Sequence, residues 1–292
     1  MTDMRPRRSV LYMPGSNARA LEKAKTLRAD GFIFDLEDAV APDAKDDART
    51  LVSQAVKAGG YGRRETVIRV NGADTPWAEA DLAAAAQAGP DAVLLPKIES
   101  AEQVRAAAAV LERQGARPDT ALWCMMETPR GILQAQAIAD AHPRLACLVM
   151  GTSDLVKDLN AAHTPLRLPV LTSLSLCLLA ARAAGLSILD GVHLDLQDEA
   201  GFEASCEQGD DLGFDGKTLI HPGQIATANR VFAPSTAALQ QAQRIIAAYR
   251  AARDAGQGIA VLDGKLVENL HVAQAERLVA LGDAIKALEA GT

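Results

Sequence analysis

The chain has few aromatic residues and no excess of positive charge. Of its 292 residues only ten are aromatic, and 30 Lys and Arg stand against 37 Asp and Glu, a net charge of −7. Base stacking needs aromatic side chains, and binding to nucleic acid or to an anionic membrane surface needs a basic face. The composition therefore disfavours both kinds of partner, although a local basic patch can still hold a small phosphate-bearing ligand.

The chain also lacks a long apolar run and closely spaced cysteines. The opening MTDMRPRRSV leads into no apolar core of the kind a signal peptide needs. The most apolar stretch, residues 171–186, is too short to span a membrane and contains Arg182. Four cysteines occur without any CxxC pair. We expect buried, reduced thiols and a cytoplasmic protein that does not associate with membranes.

Short apolar runs alternate with longer segments of helical spacing along most of the chain. The strand candidates are residues 9–13, 31–34, 66–70, 92–95, 121–126, 145–150, 187–189 and 216–220. The helix candidates between them are residues 18–28, 44–58, 77–87, 101–114, 131–141, 169–184 and 198–212. Fully apolar strands separated by helices predict a parallel sheet covered by helices. Eight such strands predict an α/β fold of the (β/α)8 TIM barrel type, with a doubly wound open sheet as the alternative.

The predicted barrel domain covers residues 1–234 and leaves a C-terminal extension of residues 235–292. This extension contains a long amphipathic pattern over residues 235–254 and a second helical pattern over residues 272–290. Between them Asp263-Gly264 separates two short apolar runs, which predicts a small hairpin. The extension is too small to fold alone, so we expect a lid that packs on the barrel or on a neighbouring subunit.

Polar residues follow the predicted strands at their carboxyl ends, where a barrel builds its active site. The clusters are Asp35-Leu36-Glu37-Asp38, Arg69-Val70-Asn71, Pro96-Lys97-Ile98-Glu99, Glu127 and Gly151-Thr152-Ser153-Asp154. Charges next to buried apolar runs are costly unless they are paired or bind a metal. The pattern therefore predicts a charged site at one face of the barrel.

Glu127 and Asp154 follow adjacent predicted strands. Two close carboxylates repel each other unless a cation or a proton lies between them. Mg²⁺ takes one or two carboxylates and completes its shell with water and substrate oxygens. We therefore predict a magnesium site at this pair; the alternative is two strand-end charges, each bridged to Arg or Lys.

Three further features allow more than one interpretation. Arg69 offers a planar fork to a substrate carboxylate, or forms an internal salt bridge to Glu37 or Asp38. Lys97 is suited to a carboxylate-pairing role more than to Schiff-base chemistry, which a metal makes unnecessary. A turn at Gly15-Ser16-Asn17 precedes a helix and stands among basic residues that suit a phosphate-rich ligand or a solvated surface. These basic residues are Arg5, Arg7, Arg8, Arg19, Lys23, Lys25 and Arg28.

Seven motifs in order resemble the citrate lyase β-subunit and malyl-CoA lyase family of CoA-ester lyases. They are Arg7-Arg8-Ser9 through Pro14-Gly15, Asp35-Leu36-Glu37-Asp38-Ala39-Val40, Arg69-Val70-Asn71, Leu95-Pro96-Lys97, Glu127-Thr128-Pro129-Arg130-Gly131, Gly151-Thr152-Ser153-Asp154-Leu155 and Phe214-Asp215-Gly216-Lys217. The resemblance implies a Mg²⁺-dependent TIM-barrel lyase that forms a homotrimer or homohexamer.

The resemblance also implies roles for individual residues. Glu127 and Asp154 would bind Mg²⁺, and Arg69 would hold the carboxylate of the 2-oxo acid half. Glu37 and Asp38 would lie close to the metal waters and the substrate. The substrate and CoA contacts would come from Arg8, Arg19, Lys25, Gly151 and Thr152. Glu268 stands where many relatives have an acid/base Asp on the lid, and its side chain is one methylene longer; an exposed tail charge is the alternative.

The reaction implied is the reversible cleavage of a 3-hydroxyacyl-CoA thioester of the citryl-, malyl- or citramalyl-CoA type to acetyl-CoA and a 2-oxo acid. Three alternatives stay open at this point. The chain could be a citrate lyase β subunit that acts on an acyl-carrier-protein thioester within a complex. It could be a metal-dependent aldolase on free hydroxy-keto acids, although Asp38 stands where that group has His. It could also be a barrel that has lost catalysis.

Overall fold

Eight parallel strands close into a barrel in the computed structural model, which describes residues 4–256 and 258–291. The strands are β1 (Ser9–Pro14), β2 (Gly31–Asp35), β3 (Glu65–Arg69), β4 (Ala92–Leu95), β5 (Ala121–Met126), β6 (Leu145–Met150), β7 (Ser187–Asp190) and β8 (Gly216–Leu219). Each strand pairs with the next in chain order, and β8 pairs with β1. The predicted TIM barrel is thus confirmed, and the open-sheet alternative is wrong because β1 and β8 form no free edge.

Helices follow the strands and cover the outside of the barrel. They are α1 (Ala18–Ala24), α2 (Lys45–Ala58), α3 (Ala78–Ala88), α4 (Ala101–Arg113), α5 (Pro129–Leu133), α6 (Ala135–Ala139), α7 (Thr152–Asp158), α8 (Leu168–Ala183), α9 (Glu199–Leu212) and α10 (Ile225–Val231). The one long helix expected after β5 is divided into α5 and α6. The short helices α7 and α10 were not expected, because each offers only about two turns of apolar spacing.

Local sequence explains where several of these elements begin. Ser100 caps α4 in a capping box with Gln103, whose side chain returns to the backbone N–H of Ser100. Gly15 lies in the turn after β1, where an added Cβ would come 2.4 Å from the carbonyl oxygen of Asp35. Only glycine permits this approach, which sets the start of α1 beside the end of β2.

Apolar side chains fill the barrel interior and the layer between the sheet and the helices. Val10, Ile33, Val67, Leu94 and Trp123 point inward and are fully buried. At the amino ends of the strands the Arg7 guanidinium lies 5.1 Å from the Trp123 ring and binds Glu65 through two hydrogen bonds. This end of the barrel is therefore closed by a structural network. The four cysteines are buried and unpaired with one another, as expected.

The structure divides into two compact units, one of which is Arg7–Phe232. The second contains α11 (Thr236–Asp254), the antiparallel pair β9 (Ala260–Leu262) and β10 (Lys265–Val267), and α12 (Asn269–Ala290). The elements predicted for the extension are present, and α12 begins three residues earlier than expected. Residues 4–6 group with this second unit, whereas the sequence assigned them to the barrel domain. Among the described residues, no helix has the length and apolarity needed to cross a membrane.

Candidate active site

A cavity of about 380 Å³ opens at the carboxyl ends of the strands. Charged residues line one part of it, and Met125, Met150, Val192, Leu194 and Ile220 give the rest an apolar surface. The charged and polar lining includes Asp35, Asp38, Arg69, Glu127, Thr152 and Asp154. These residues come from the ends of β2, β3, β5 and β6, so the predicted convergence of the strand-end clusters is present.

A buried ion pair joins the last residues of β2 and β3. Asp35 and Arg69 are register partners, and the Arg69 Nε and Nη2 atoms donate to the two Asp35 carboxylate oxygens at 2.7 and 2.6 Å. Asp35 also accepts the backbone N–H groups of Glu37 and Ala39 at 2.9 and 3.1 Å. This carboxylate therefore orients the arginine and shapes the loop that carries Glu37. Asp35 was not singled out from the sequence, which shows only a cluster of acidic residues.

The third nitrogen of the Arg69 guanidinium faces the other acidic residues of this loop. Nη1 lies 2.8 Å from Glu37 Oε2 and 3.5 Å from Asp38 Oδ2. The internal salt bridges considered for Arg69 are thus present, and they occupy most of its fork. Asp35 occupies the Nε–Nη2 edge of the guanidinium, so a substrate carboxylate must contact the remaining N–H bonds of Nη1 and Nη2.

Lys97 connects the acidic residues on both sides of the cavity. Its backbone has a φ of 51°, a left-handed conformation that is rare outside glycine. In this conformation its N–H donates to Glu127 Oε1 at 2.8 Å, while its ammonium lies 2.6 Å from Glu37 Oε1 and 3.7 Å from Asp154 Oδ2. Lys97 therefore pairs carboxylates, as the sequence favoured. Such backbone strain is concentrated at functional sites.

Burial and like charge both act on Glu127, which follows β5 and is only 2% exposed. Burial, and after it the charge of Glu37, raises the pKa of Glu127 from 4.5 to about 7. Burial also raises the pKa of Glu37, against the opposing effect of Arg69 and Lys97. Gly151 leaves the space that the Glu127 side chain fills, since an added Cβ would come 2.5 Å from Glu127 Oε2.

The donor set at this end of the barrel fits a hard divalent cation. Glu127 is a buried carboxyl whose ionisation burial opposes, and Asp154 in the first turn of α7 lines the same cavity. Within the described ranges, no group of three or more His, Cys, Asp or Glu side chains is arranged to hold a metal ion. Two carboxylate oxygen donors are the number that Mg²⁺ commonly takes from a protein, with water and substrate oxygens completing its shell. A bound cation would also remove the cost of ionising Glu127.

The structure places the predicted CoA-binding residues at different ends of the barrel domain. Arg8, contrary to the prediction, lies before β1 at the end opposite the cavity, and its guanidinium donates twice to Asp30 at 2.9 Å. It is 4% exposed, because this buried pairing closes the amino end of the barrel. Arg19 is exposed in the first turn of α1, after the carboxyl end of β1. Lys25 follows α1 as its C-cap residue, and its ammonium pairs with Glu22 at 2.7 Å.

Thr152 and Gly151 lie at the cavity as predicted, whereas Glu268 belongs to the second unit. Glu268 is exposed and precedes α12, and its backbone N–H donates to His271 Nδ1 at 3.0 Å. Its acid/base role stays a prediction.

Sequence reasoning missed Tyr12 and Met125, which both line the cavity from β1 and β5. Both residues lie within strands that the sequence shows as uniformly apolar. The available signal was the alternation of side chains along a strand, which points every second residue into the barrel.

Comparison of the sequence and the fold with known proteins identifies the family of the chain. A sequence model described as HpcH/HpaI aldolase/citrate lyase matches residues 8–222. A (3S)-malyl-CoA thioesterase of Cereibacter sphaeroides is 54% identical over 285 residues, which cover 98% of each chain. A citrate lyase subunit beta of Leuconostoc mesenteroides subsp. cremoris is 36% identical and covers 97% of this chain and 96% of the relative.

Solved structures with the same fold have been obtained with ligands. The protein CitE of Mycobacterium tuberculosis, in complex with magnesium, acetoacetate and coenzyme A, has a TM-score of 0.75 at 30% identity and covers 95% of this chain and 98% of its own. A citrate lyase beta subunit of the same organism, with oxaloacetate and magnesium, has a TM-score of 0.69 at 31% identity and covers 80% of this chain and all of its own.

Proposed function

The chain belongs to the HpcH/HpaI aldolase/citrate lyase family, and on that premise we propose that it is a Mg²⁺-dependent carbon–carbon lyase. Its proposed substrate is a 3-hydroxyacyl-CoA thioester of the malyl, citryl or citramalyl type, which it cleaves reversibly to acetyl-CoA and a 2-oxo acid. The relative at 54% identity is named for malyl-CoA, which favours the malyl thioester within this class.

One observation carries the proposal: Arg69, Glu127 and Asp154 line a single cavity at the carboxyl ends of the strands. The carboxylates are the proposed magnesium ligands. Bound Mg²⁺ would supply Lewis-acid polarisation of the substrate hydroxyl and carboxylate oxygens. Arg69 Nη1, which faces Glu37 and Asp38, is the group placed to orient the 2-oxo acid half of the substrate. Relatives solved with magnesium and oxo acids support the binding of this cation and of this class of ligand.

The chain's own residues account for proton transfer in the proposed cleavage. Asp38 lines the cavity with a 62% exposed side chain, so its carboxylate is the proposed acceptor of the hydroxyl proton. The C–C bond next to the hydroxyl carbon then breaks, and its electron pair passes to the thioester as an enolate. The hydroxyl carbon becomes the carbonyl of the 2-oxo acid. Glu268 is the proposed acid that protonates the enolate to give the acetyl thioester.

Glu37 and Lys97 have a positioning role in this proposal. Lys97 Nζ binds Glu37 Oε1 at 2.6 Å, and Glu37 Oε2 lies 2.8 Å from Arg69 Nη1. The chain of contacts holds the lysine and arginine on the same side of the cavity, where their charges offset those of the acidic residues.

Thioester hydrolysis is the second candidate, and the 54% identity with a malyl-CoA thioesterase favours it specifically. The same cation site and arginine would bind the substrate, but water would attack the thioester carbon and CoA thiol would leave. A further candidate keeps the carbon–carbon cleavage but acts on a citryl acyl-carrier-protein thioester within a multi-subunit complex, and the citrate lyase beta relatives support it.

A single assay distinguishes these reactions. Citryl-, malyl-, β-methylmalyl- and citramalyl-CoA are each incubated with the protein and Mg²⁺, and 2-oxo acid and free thiol are followed in parallel. Cleavage releases oxo acid without thiol, whereas hydrolysis releases thiol without oxo acid. Glu127→Ala, which removes a proposed magnesium ligand, should abolish either signal. If folded, Mg²⁺-supplemented protein leaves every CoA ester intact, the free-CoA proposal is wrong, and the carrier-protein thioester is tested next.

We also propose that the protein forms a homotrimer or homohexamer. The assay is light scattering coupled to size exclusion. A monomeric mass at micromolar concentration would contradict this assignment.

A further inference from the structure

Two hydrogen-bond donors in the cavity converge on one sulfur atom. The Tyr12 hydroxyl and Arg69 Nη1 each lie 3.7 Å from Met125 Sδ. Tyr12 comes from β1, Arg69 ends β3, and Met125 stands next to last in β5, so the three side chains meet inside the barrel mouth. All three line the same cavity.

A thioether is a poor match for these donors. Its sulfur accepts hydrogen bonds only weakly, whereas a guanidinium and a phenol are strong donors. Arg69 Nη1 carries two N–H bonds and also lies 2.8 Å from Glu37 Oε2, so the N–H bond that faces the sulfur, like the Tyr12 hydroxyl, is left with a weak acceptor. Burial raises the pKa of Tyr12, and the phenol therefore keeps its proton and remains a donor.

Neighbouring contacts hold the two donors in this arrangement. Asp35 fixes the Arg69 guanidinium through Nε and Nη2, and that guanidinium lies 4.9 Å from the centre of the Tyr12 ring. The positive charges of Arg69 and Lys97 match the negative charges of Asp35 and Glu37. An additional anionic oxygen would therefore meet no net repulsion from these four groups, and bound Mg²⁺ would reduce the repulsion from Asp38, Glu127 and Asp154, which line the same cavity. Met125 is unbranched and can change rotamer to admit a ligand.

We propose that Tyr12 is a substrate-binding residue whose hydroxyl, together with Arg69 Nη1, binds one carboxylate oxygen of the 2-oxo acid at the position that Met125 Sδ occupies in this structure. The inference rests on the proposed function and extends it, because it adds a neutral donor from β1 to the recognition of the oxo acid. It also assigns Met125 as the side chain that yields when the acid binds.

Calorimetric titration with glyoxylate, the oxo acid that malyl-CoA cleavage releases, and with pyruvate tests the proposal in the presence of Mg²⁺ and without any acyl-CoA, so that no turnover occurs. Tyr12→Phe keeps the ring beneath Arg69 and removes only the hydroxyl. Loss of a hydrogen bond to a charged group should weaken binding of the oxo acid by about 10- to 100-fold in this variant. Tyr61→Phe is the matched control, because it removes the same hydroxyl from a barrel residue that does not line this cavity and should retain wild-type affinity.

Each outcome bears on a different claim. If wild-type protein with Mg²⁺ binds neither glyoxylate nor pyruvate, both the proposed function and this inference are overturned. If wild type binds one of these acids and Tyr12→Phe binds it equally well, only the role of Tyr12 fails. If Tyr61→Phe loses as much affinity as Tyr12→Phe, the loss is not specific to the cavity hydroxyl, and the proposal is overturned as well.

A spectroscopic measurement does not depend on the folding of the Tyr12 variant. The chain has three tyrosines, so selective ¹³Cζ labelling gives three resonances. Tyr61→Phe and Tyr249→Phe identify two of them and leave Tyr12 by elimination. Pyruvate should shift the Tyr12 resonance in wild-type protein with Mg²⁺, and saturation with no shift of that resonance would overturn the proposal.

Discussion

Replacing Glu127 by Gln should stabilise the metal-free protein at alkaline pH, although Glu127 is a proposed magnesium ligand. Glutamine keeps an oxygen that can accept the Lys97 N–H, which lies 2.8 Å from Glu127 Oε1. It cannot ionise, so it avoids placing a negative charge in a position that is 2% exposed and close to Glu37. The substitution thus separates the cost of the buried charge from the geometry of the site.

The magnitude follows from the raised pKa of Glu127. Its folded-state pKa of about 7 lies above the ordinary value of 4.5, so the folded protein binds more protons than the unfolded chain between these pH values. The stabilisation from this proton is complete below pH 4.5 and is lost as the pH rises through 7. At about 1.4 kcal/mol for each pH unit, the interval amounts to about 3 kcal/mol.

Urea denaturation in EDTA at pH 5 and at pH 8 measures this effect. Other titrating groups alter the stability of both proteins, so the informative quantity is the difference in free energy of unfolding between Glu127→Gln and wild type. This difference should rise by about 2.5 kcal/mol in favour of the variant between the two pH values, because at pH 5 the unfolded carboxyl is already largely ionised. Added Mg²⁺ should reverse the order at pH 8, because only wild type keeps both proposed carboxylate ligands.

Two results would refute the reasoning. If the difference in free energy of unfolding between variant and wild type does not change between pH 5 and pH 8, burial does not raise the pKa of Glu127. A variant less stable than wild type in EDTA at pH 8 would mean that the charge contributes favourable interactions that exceed its desolvation cost.

Two further predictions concern the groups around this carboxylate. Arg69→Lys should lower kcat/KM for thioester cleavage by about 100-fold and destabilise the protein by about 3 kcal/mol, because an ammonium cannot replace the two-point contact with buried Asp35. Steady-state kinetics measures the first effect and urea denaturation the second. Wild-type values in both measurements would contradict the prediction. Gly151→Ala should weaken Mn²⁺ binding about 10- to 100-fold in paramagnetic resonance titrations, since its Cβ would displace Glu127 Oε2. Gly258→Ala is the control, because an added Cβ there meets nothing within 4 Å, and equal affinities in the two variants would show that Gly151 does not position the ligand.

The strand-end residues show what a sequence can predict about such a site. Glu127 and Asp154 were assigned to the cavity because each follows a continuous apolar run, and parallel strands bring their carboxyl ends together. The same logic does not apply to residues before a strand. Arg8 was assigned to the ligand from its charge and its motif, but it precedes β1 and therefore lies at the opposite end, paired with Asp30.

Pairing between distant residues is the part that the sequence did not reveal. Arg69 could be listed as a salt bridge or as a substrate ligand, and only the structure shows Asp35 holding two of its nitrogens, 34 positions away. Tyr12 carried no signal within an apolar strand, and its contact with Met125 spans 113 positions.

The amino-acid sequence by itself determined the architecture and the face on which the site lies. Apolar strands alternating with amphipathic helices can bury their surfaces only by closing a parallel sheet beneath a helical layer, and this closure carries every strand-end cluster to one rim. The tertiary structure decided which donors remain for a ligand. Side-chain direction and the choice among neighbouring carboxylates depend on contacts between strands that are far apart in the chain, and local pattern contains no information about them.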